Sequence, residues 1–465
     1  MENRMKPPRF FTGILAASIA GTLAATPAFA QTTQEQLSQI LRQLETQKQI
    51  ISSLSKEVER LRNGQKKQAE KIASSDGGPD GGDIKISVKE GLKLKSRDGN
   101  FKFQLGGRIM TDYAHYEDDR SRLGDGTEFR RARLFLAGTF YKNLDFKSQL
   151  DFAGNSVSVK DMYIRYNFMP NSLTFGNFKQ PFSLEDQTSS KYITFMERAL
   201  PNAFSPGHLI GIGYNTHGEN WSFALAGAGS SVTGDADNEG DEGYSLTSRV
   251  HFAPLSEKAK NIHLGAAVSY RNLRNQTLRF RERPESHVTS VRFVDTGTIT
   301  NATDQFLYGL EAASVWGPFS LQGEYIGVNV TRDRGLSDLD FYGWYGFASL
   351  FLTPGDHRSY NPKKGSFGRT KPKHSYADGG LGAWELAVRY SGVMLTDEDI
   401  LGGGEKNLTF GLNWYATSHV RFMLNYIRVN NDNNATGNAA NLLPQLASAA
   451  DDDPQIIQLR AQIDF

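Results

Sequence analysis

The stretch 456–465 reads IIQLRAQIDF. Side chains alternate along an extended chain, so Ile457, Leu459, Ala461, Ile463 and Phe465 share one face while Gln458, Arg460, Gln462 and Asp464 share the other. An apolar stripe backed by a polar one, over about ten residues, fits a strand standing between lipid and a watery lumen. The same period of two recurs upstream, at 101–106, in LTFGNF at 173–178, WSFALAGA at 221–228, FSLQGEYIGVNV at 319–330, AWELAVRY at 383–390, LTFGLNWYA at 408–416 and VRFMLNYIRV at 420–429. Counted from Phe101, such segments number about 16, within the range of single-chain transmembrane barrels.

Short joins (141–143, 169–171, 417–419) contrast with long polar connections (230–243, 352–380, 430–455). Short turns at one end and long loops at the other are expected of an up-and-down outer-membrane barrel. The fold class expected is therefore all-β, a transmembrane antiparallel barrel of about 16 strands over 84–465.

Composition agrees. The 465 residues include 46 Gly, 29 Phe and 18 Tyr but no Cys, with mean hydropathy −0.47, as expected of β structure without disulfides. Arg4, Lys6 and Arg9 precede an apolar run to Ala25, and Ala28-Phe29-Ala30 is a small-x-small cleavage site. Residues 1–30 read as a secretory signal. Its loss moves the net charge from +1 to about −1, which argues against a nucleic-acid partner. Beyond the signal no apolar run reaches about 18 residues, so no transmembrane helix is expected.

Between Gln36 and Lys71 the period changes. Leu37, Leu44, Ile51 and Val58 recur every seven residues, with Ile40, Leu54 and Leu61 three places on and Gln47 as a polar interruption. Such spacing predicts a coiled-coil helix over 31–72 that joins chains into an oligomer, with a trimer expected, where a lone amphipathic helix would show a broader apolar face. The Gly/Ser/Asp/Pro-rich stretch 73–83 reads as a flexible linker.

One segment breaks the alternation without being polar enough for a plain loop: KQPFSLEDQTSSKYITFMERALPNAF, Lys179–Phe204. A connection this long and aromatic is expected to fold into the barrel, forming a constriction over 179–206. Thr188, Ser189 and Ser190 offer hydroxyls and Lys191 and Arg198 offer charge; Ser189 or Ser190 as a helix N-cap is the structural alternative. In FRRARLFL at 129–136, Arg131 and Arg133 lie opposite Ala132, Leu134 and Leu136, so the arginines should face the lumen. Arg130 falls on the other face and reaches the lumen only if the strand is bulged there or has not yet begun. Arg279, Arg281 and Arg283 share a face if extended, as either an anion ladder or a solvated edge.

Other signals are weak. GDADNEGDEG at 234–243 lacks EF-hand spacing, Gly402–Lys406 is no Walker A loop, and nine scattered histidines form no metal pattern. No G-x-S-x-G elbow appears. Neither catalysis nor a cofactor is expected.

The segments QLGGR at 104–108, EFRRARL at 128–134, LEDQTSSKYITFMER at 184–198, RFRER at 279–283, GAWELAVRY at 382–390 and FGLNWYA at 410–416 together resemble the phosphate-selective outer-membrane porins of the O and P type. The resemblance runs from about Ile84 to Phe465. It implies a homotrimer of 16-stranded barrels in a Gram-negative outer membrane, passing small inorganic anions by diffusion. It further implies a third loop folded inward, with Arg108, Arg130, Arg131, Ser189, Ser190, Lys191 and Arg198 at the constriction and Arg279, Arg281 and Arg283 as the ladder. This chain departs from the family at Asp186, where a lysine is expected, and at Arg133, where a tyrosine is expected. An anion at a constriction opposes anion passage, and an Asp186–Arg133 pair would offset it. The expected function is an outer-membrane channel for phosphate or polyphosphate-like anions. A weakly selective general porin, an outer membrane–periplasm tether and, last, an outer-membrane hydrolase are the alternatives. The coiled coil lies outside the matched region, as an N-terminal periplasmic segment that contacts peptidoglycan or merely holds the trimer.

Overall fold

The computed structural model describes residues 84–88, 91–232, 242–274, 277–433 and 452–465, and parts of a helix between 45 and 63. Two compact units result, Met1–Gly81 and Gly82–Phe465. In the first, the described residues are helical and exposed, Leu54, Val58 and Leu61 of the expected seam included. The signal at 1–30 and the linker at 73–83 lie outside the described residues.

In the second unit, 16 antiparallel strands close a barrel. They are β1 (Lys102–Glu117), β2 (Gly126–Phe140), β3 (Leu144–Asp151), β4 (Ser158–Phe168), β5 (Asn171–Lys179), β6 (His208–His217), β7 (Trp221–Ala228) and β8 (Ser245–Glu257). There follow β9 (Lys260–Asn272), β10 (Ala302–Trp316), β11 (Phe319–Arg332), β12 (Leu339–Phe351), β13 (Ala383–Asp397), β14 (Ile400–Tyr415), β15 (Val420–Asn433) and β16 (Gln455–Asp464). Each pairs with the next, and β16 returns to β1 with Gln455 opposite Glu117 and Asp464 opposite Arg108. Closure leaves no free edge along β16. Where β16 ends, a hairpin of Ile84–Ser87 and Leu92–Ser96 continues the wall, Leu92 pairing Leu105 of β1. Gly106 permits that junction: a Cβ there would stand 2.6 Å from the carbonyl oxygen of Phe465.

The alternation in the sequence becomes the two faces of the wall. Along β16, Ile457, Leu459 and Ile463 are exposed outward while Gln458, Arg460, Gln462 and Asp464 are buried inward. Trp384, Trp414 and Phe422 stack outside the short-join ends of β13, β14 and β15, with centroids 5.6 and 5.4 Å apart. An outward aromatic row there is a membrane-interface girdle.

One expectation about the connections is corrected. Strand direction alternates, so 352–382, between β12 and β13, lies at the same end as the short joins 141–143, 169–170 and 416–419. It is long because it turns back into the barrel. There its groups find partners on the inner wall: Arg358 donates to Gln322 (3.0 Å), Tyr360 meets His263 (2.6 Å), and Arg249 donates to the carbonyl of Gly365 (2.7 Å). Aromatic and charged groups of this kind are covered only inside the barrel.

Candidate functional site

Three connections fill the lumen: 180–207, 273–301 and 352–382. The first is the expected inward segment. A buried loop must have its backbone polar groups satisfied, and here the wall supplies the partners. Glu324 of β11 accepts from the backbone N–H groups of Leu184 (2.8 Å) and Glu185 (2.7 Å). Arg421 donates to the carbonyls of Ile193 and Thr194, Asn425 accepts from the N–H of Met196, and Arg389 donates to the carbonyl of Glu197. Phe182, Leu184, Phe195, Met196 and Leu200 are fully covered beneath. The short helix α1 (Leu184–Gln187) is capped by Ser183, whose hydroxyl accepts from the N–H of Asp186 at 3.1 Å. Neither Ser189 nor Ser190 caps it, because the helix begins and ends before them.

Arg108, Arg130, Arg131, Arg133, Asp186, Ser189, Ser190 and Arg198 line one cavity of about 760 Å³. Arg130 arrives there through a β-bulge: Met110 pairs Arg131 and Thr111 pairs Phe129, so Arg130 is the extra residue and shares the inner face with Arg131. Glu197 holds both, accepting from the Nε and Nη2 of Arg130 at 2.8 Å each and lying 3.7 Å from Arg131. Arg108 donates to Ser190 at 2.7 Å.

Two expected contacts differ. Arg133 pairs with Asp151 (2.6 Å), its neighbour across β2 and β3, and not with Asp186. Asp186 instead accepts from Lys179 (2.9 Å) and Ser205 (2.8 Å), with Arg198 at 3.5 Å. Burial opposes its charge, but Lys179 and Arg198 and the hydrogen bonds hold its pKa down to about 2. The carboxylate is thus compensated within its own loop and the strand beside it. Lys191 also lies elsewhere: its ammonium meets Asp464 at 3.1 Å, in a separate small cavity with Tyr192 and Arg369.

The expected ladder occupies 273–301, which runs out and back as short paired segments, Arg281 opposite Asp295. Arg279 is held by Asp295 in a two-pronged contact (2.7 and 2.6 Å), Arg281 is exposed, and Arg283 faces a small cavity. That cavity shares Arg130, Arg131 and Arg198 with the larger one. The segment is pinned by Glu285, which reaches Arg389 and Ser391 at 2.5 Å each and Thr409 at 2.8 Å.

The cavity also holds cations outside the sequence motifs: Lys147, Lys160, Arg165, Lys179, Arg249, Lys363 and Lys364. Lys147 pairs with Asp161, Lys179 with Asp186 and Arg249 with Glu311. Arg165 stacks on Tyr163 and donates to Thr174, without an acidic partner among the described residues. The side-chain ammonium groups of Lys160 and Lys364 have no hydrogen-bond or ion-pair partner among the described residues. The two carboxylates lining the cavity, Asp161 and Asp186, are both paired. A closed barrel with an inward-folded third loop and an excess of lumenal cations is a porin's arrangement.

The description "Phosphate-selective porin O and P" matches residues 103–465. The chain belongs to that family. Porin O of Pseudomonas aeruginosa is 29% identical over 392 residues, 76% of this chain and 88% of that protein. An uncharacterized protein of Caulobacter vibrioides is 31% identical over 343 residues, 70% of this chain and 68% of that one. Among solved structures, OmpT of Vibrio cholerae superposes with a TM-score of 0.52 at 11% identity, covering 79% of this chain and 98% of its own, a likeness of fold alone. The protein is an outer-membrane β-barrel porin of the Gram-negative envelope, in a family of channels.

Proposed function

We propose that the chain forms a homotrimeric channel through which phosphate or polyphosphate-like anions diffuse. The observation that carries this is the imbalance of charge in the main cavity. Among the described residues, Arg108, Lys160, Arg165 and Lys364 form no ion pair with a carboxylate there, while Asp161 and Asp186 are paired. An entering anion supplies the missing counter-charge, and a cation meets none to share. Arg281 and Arg283 draw anions toward the mouth, and Arg130, Arg131 and Arg198 carry them to the narrow part, with Ser189 and Ser190 as neutral hydrogen-bond partners. Pairing with Glu197 and Asp186 keeps the grip of these arginines weak enough for release.

Strand length supports the trimer. β3 to β7 have 8 to 11 residues, against 13 to 16 in β8 to β15. Tilted as in other barrels, eight residues rise about 20 Å, short of an apolar band of about 25 Å. That low wall is read as the face toward neighbouring copies. We read the heptad pattern at 31–72 as a periplasmic coiled coil that holds the three chains together. In planar bilayers the purified protein should give a zero-current potential of anion sign in a KCl gradient, and added phosphate should block chloride current. A cation preference would refute the proposal.

A further inference from the structure

We infer that Lys160 is a specificity-determining residue of the channel, forming with Arg108 an oxyanion-binding station beside the constriction. The inference rests on the anion-channel reading above and names where the anion is held. In SVKDMYIRYNF of β4, Asp161, Tyr163, Arg165 and Asn167 face inward while Met162, Ile164, Tyr166 and Phe168 are exposed toward lipid. Strict alternation would set Lys160 among the lipid-facing residues, where an ammonium is costly. The pairing of β3 with β4 resolves this: Ser148 pairs Met162 and Leu150 pairs Val159, so Lys160 and Asp161 together oppose Gln149. This second bulge turns both residues into the cavity. The side-chain amide of Asn177 donates to the carbonyl of Lys160, so the bulge is held through the backbone and not through the ammonium.

The two bulges each deliver a cation, and they differ in what meets it. Arg130 is clasped by Glu197. The ammonium of Lys160 is half-buried with no partner among the described residues, and the charges around it are Arg133, Asp151, Arg130 and Arg131, of which Asp151 is already occupied by Arg133. Arg108 lies across the wall from Arg133 on one side and Asp464 on the other; Asp464 is taken by Lys191 and Arg369, and the Arg108 side chain donates to the neutral Ser190. Two cations whose neighbouring carboxylates are each held by another cation thus flank the Arg133–Asp151 ion pair, with a hydroxyl at hand. A tetrahedral oxyanion matches this set: it brings negative charge to both cations and can take a hydrogen bond from the serine.

The test is phosphate block of chloride current in the full-length channel. Lys160→Met should raise the half-blocking phosphate concentration roughly tenfold or more, the loss expected for one charge-assisted hydrogen bond. Lys160→Arg should keep it within about threefold, since the charge remains. The zero-current potential in KCl should stay of anion sign in both, because Arg108, Arg165 and Lys364 are untouched. A Lys160→Met channel that conducts normally and binds phosphate as well as the parent overturns the assignment while leaving the anion channel standing. A parent channel that prefers cations removes the reading on which it rests. A structural role for Lys160 would lower chloride conductance and thermal stability together in both variants, which also refutes it.

Discussion

Replacing Asp186 by Asn tests the electrostatics of the inward loop directly. In sequence, an acid at this place opposes anions. In the structure it is the shared partner of Lys179 and Arg198, and Ser205 donates to it as well. Removing its charge leaves those two cations, which also donate to backbone carbonyls of the loop, without their carboxylate beside the cavity that all three line. One unit charge acting over about 7 Å at an effective dielectric of about 20 changes the energy of a monovalent anion by about 2 kcal/mol, or roughly thirtyfold in affinity. The opposing effect is loss of a buried ion pair, which costs about 3–5 kcal/mol when one partner is removed outright. Asn retains an acceptor for Lys179 and Ser205, so the loop should stay in place at reduced thermal stability. The assay is phosphate block of chloride current, read beside thermal unfolding in detergent. The half-blocking concentration should fall at least tenfold. A folded, conducting Asp186→Asn channel with unchanged or weaker block would refute the compensation argument. The pH dependence follows with the sign of a depressed carboxylate. The stability that the charged Asp186 contributes is present above the unfolded value near 4 and is lost as pH falls toward about 2, so this group does not titrate between pH 5 and 8.

Glu282, in the ladder segment, behaves oppositely. Burial pushes it up to about 7, with Glu197 adding to the rise and the N–H of Arg283 and the charges of Arg292 and Arg283 opposing it. It is charged above that pH and neutral below, so anion preference in KCl should increase from pH 8 to pH 6, and Glu282→Gln should show the pH 6 value throughout. A flat parent profile with no difference in the variant would contradict this. Deleting residues 31–82 should leave single-channel conductance and phosphate block intact while loosening the trimer on native gels, and a loss of conductance in the remaining trimers would show that the segment does more than hold the chains.

The barrel was legible from the alternation, since lipid and lumen impose opposite demands on successive residues and the pattern survives without any knowledge of partners. The outward Ile457, Leu459 and Ile463 are examples. The inward loop was legible too, because Pro181, Pro201 and its aromatics break that alternation. Even the bulge at Arg130 could be anticipated from an arginine on the wrong face, and Lys160 carries the same signal in a strand whose motif drew no notice. The end at which the connection 352–382 lies is not legible from its length, because strand parity and not length sets the end, and its length serves contacts inside the barrel.

What the sequence by itself determined is the wall, its two faces and the family to which the chain belongs. The tertiary structure alone decided which cations are free. Arg130 meets Glu197 across 67 positions, Lys191 meets Asp464 across 273, and Arg133 turns to Asp151 instead of Asp186. Charge is written in each residue, but its cancellation depends on contacts that only the closed barrel and its inward loops create.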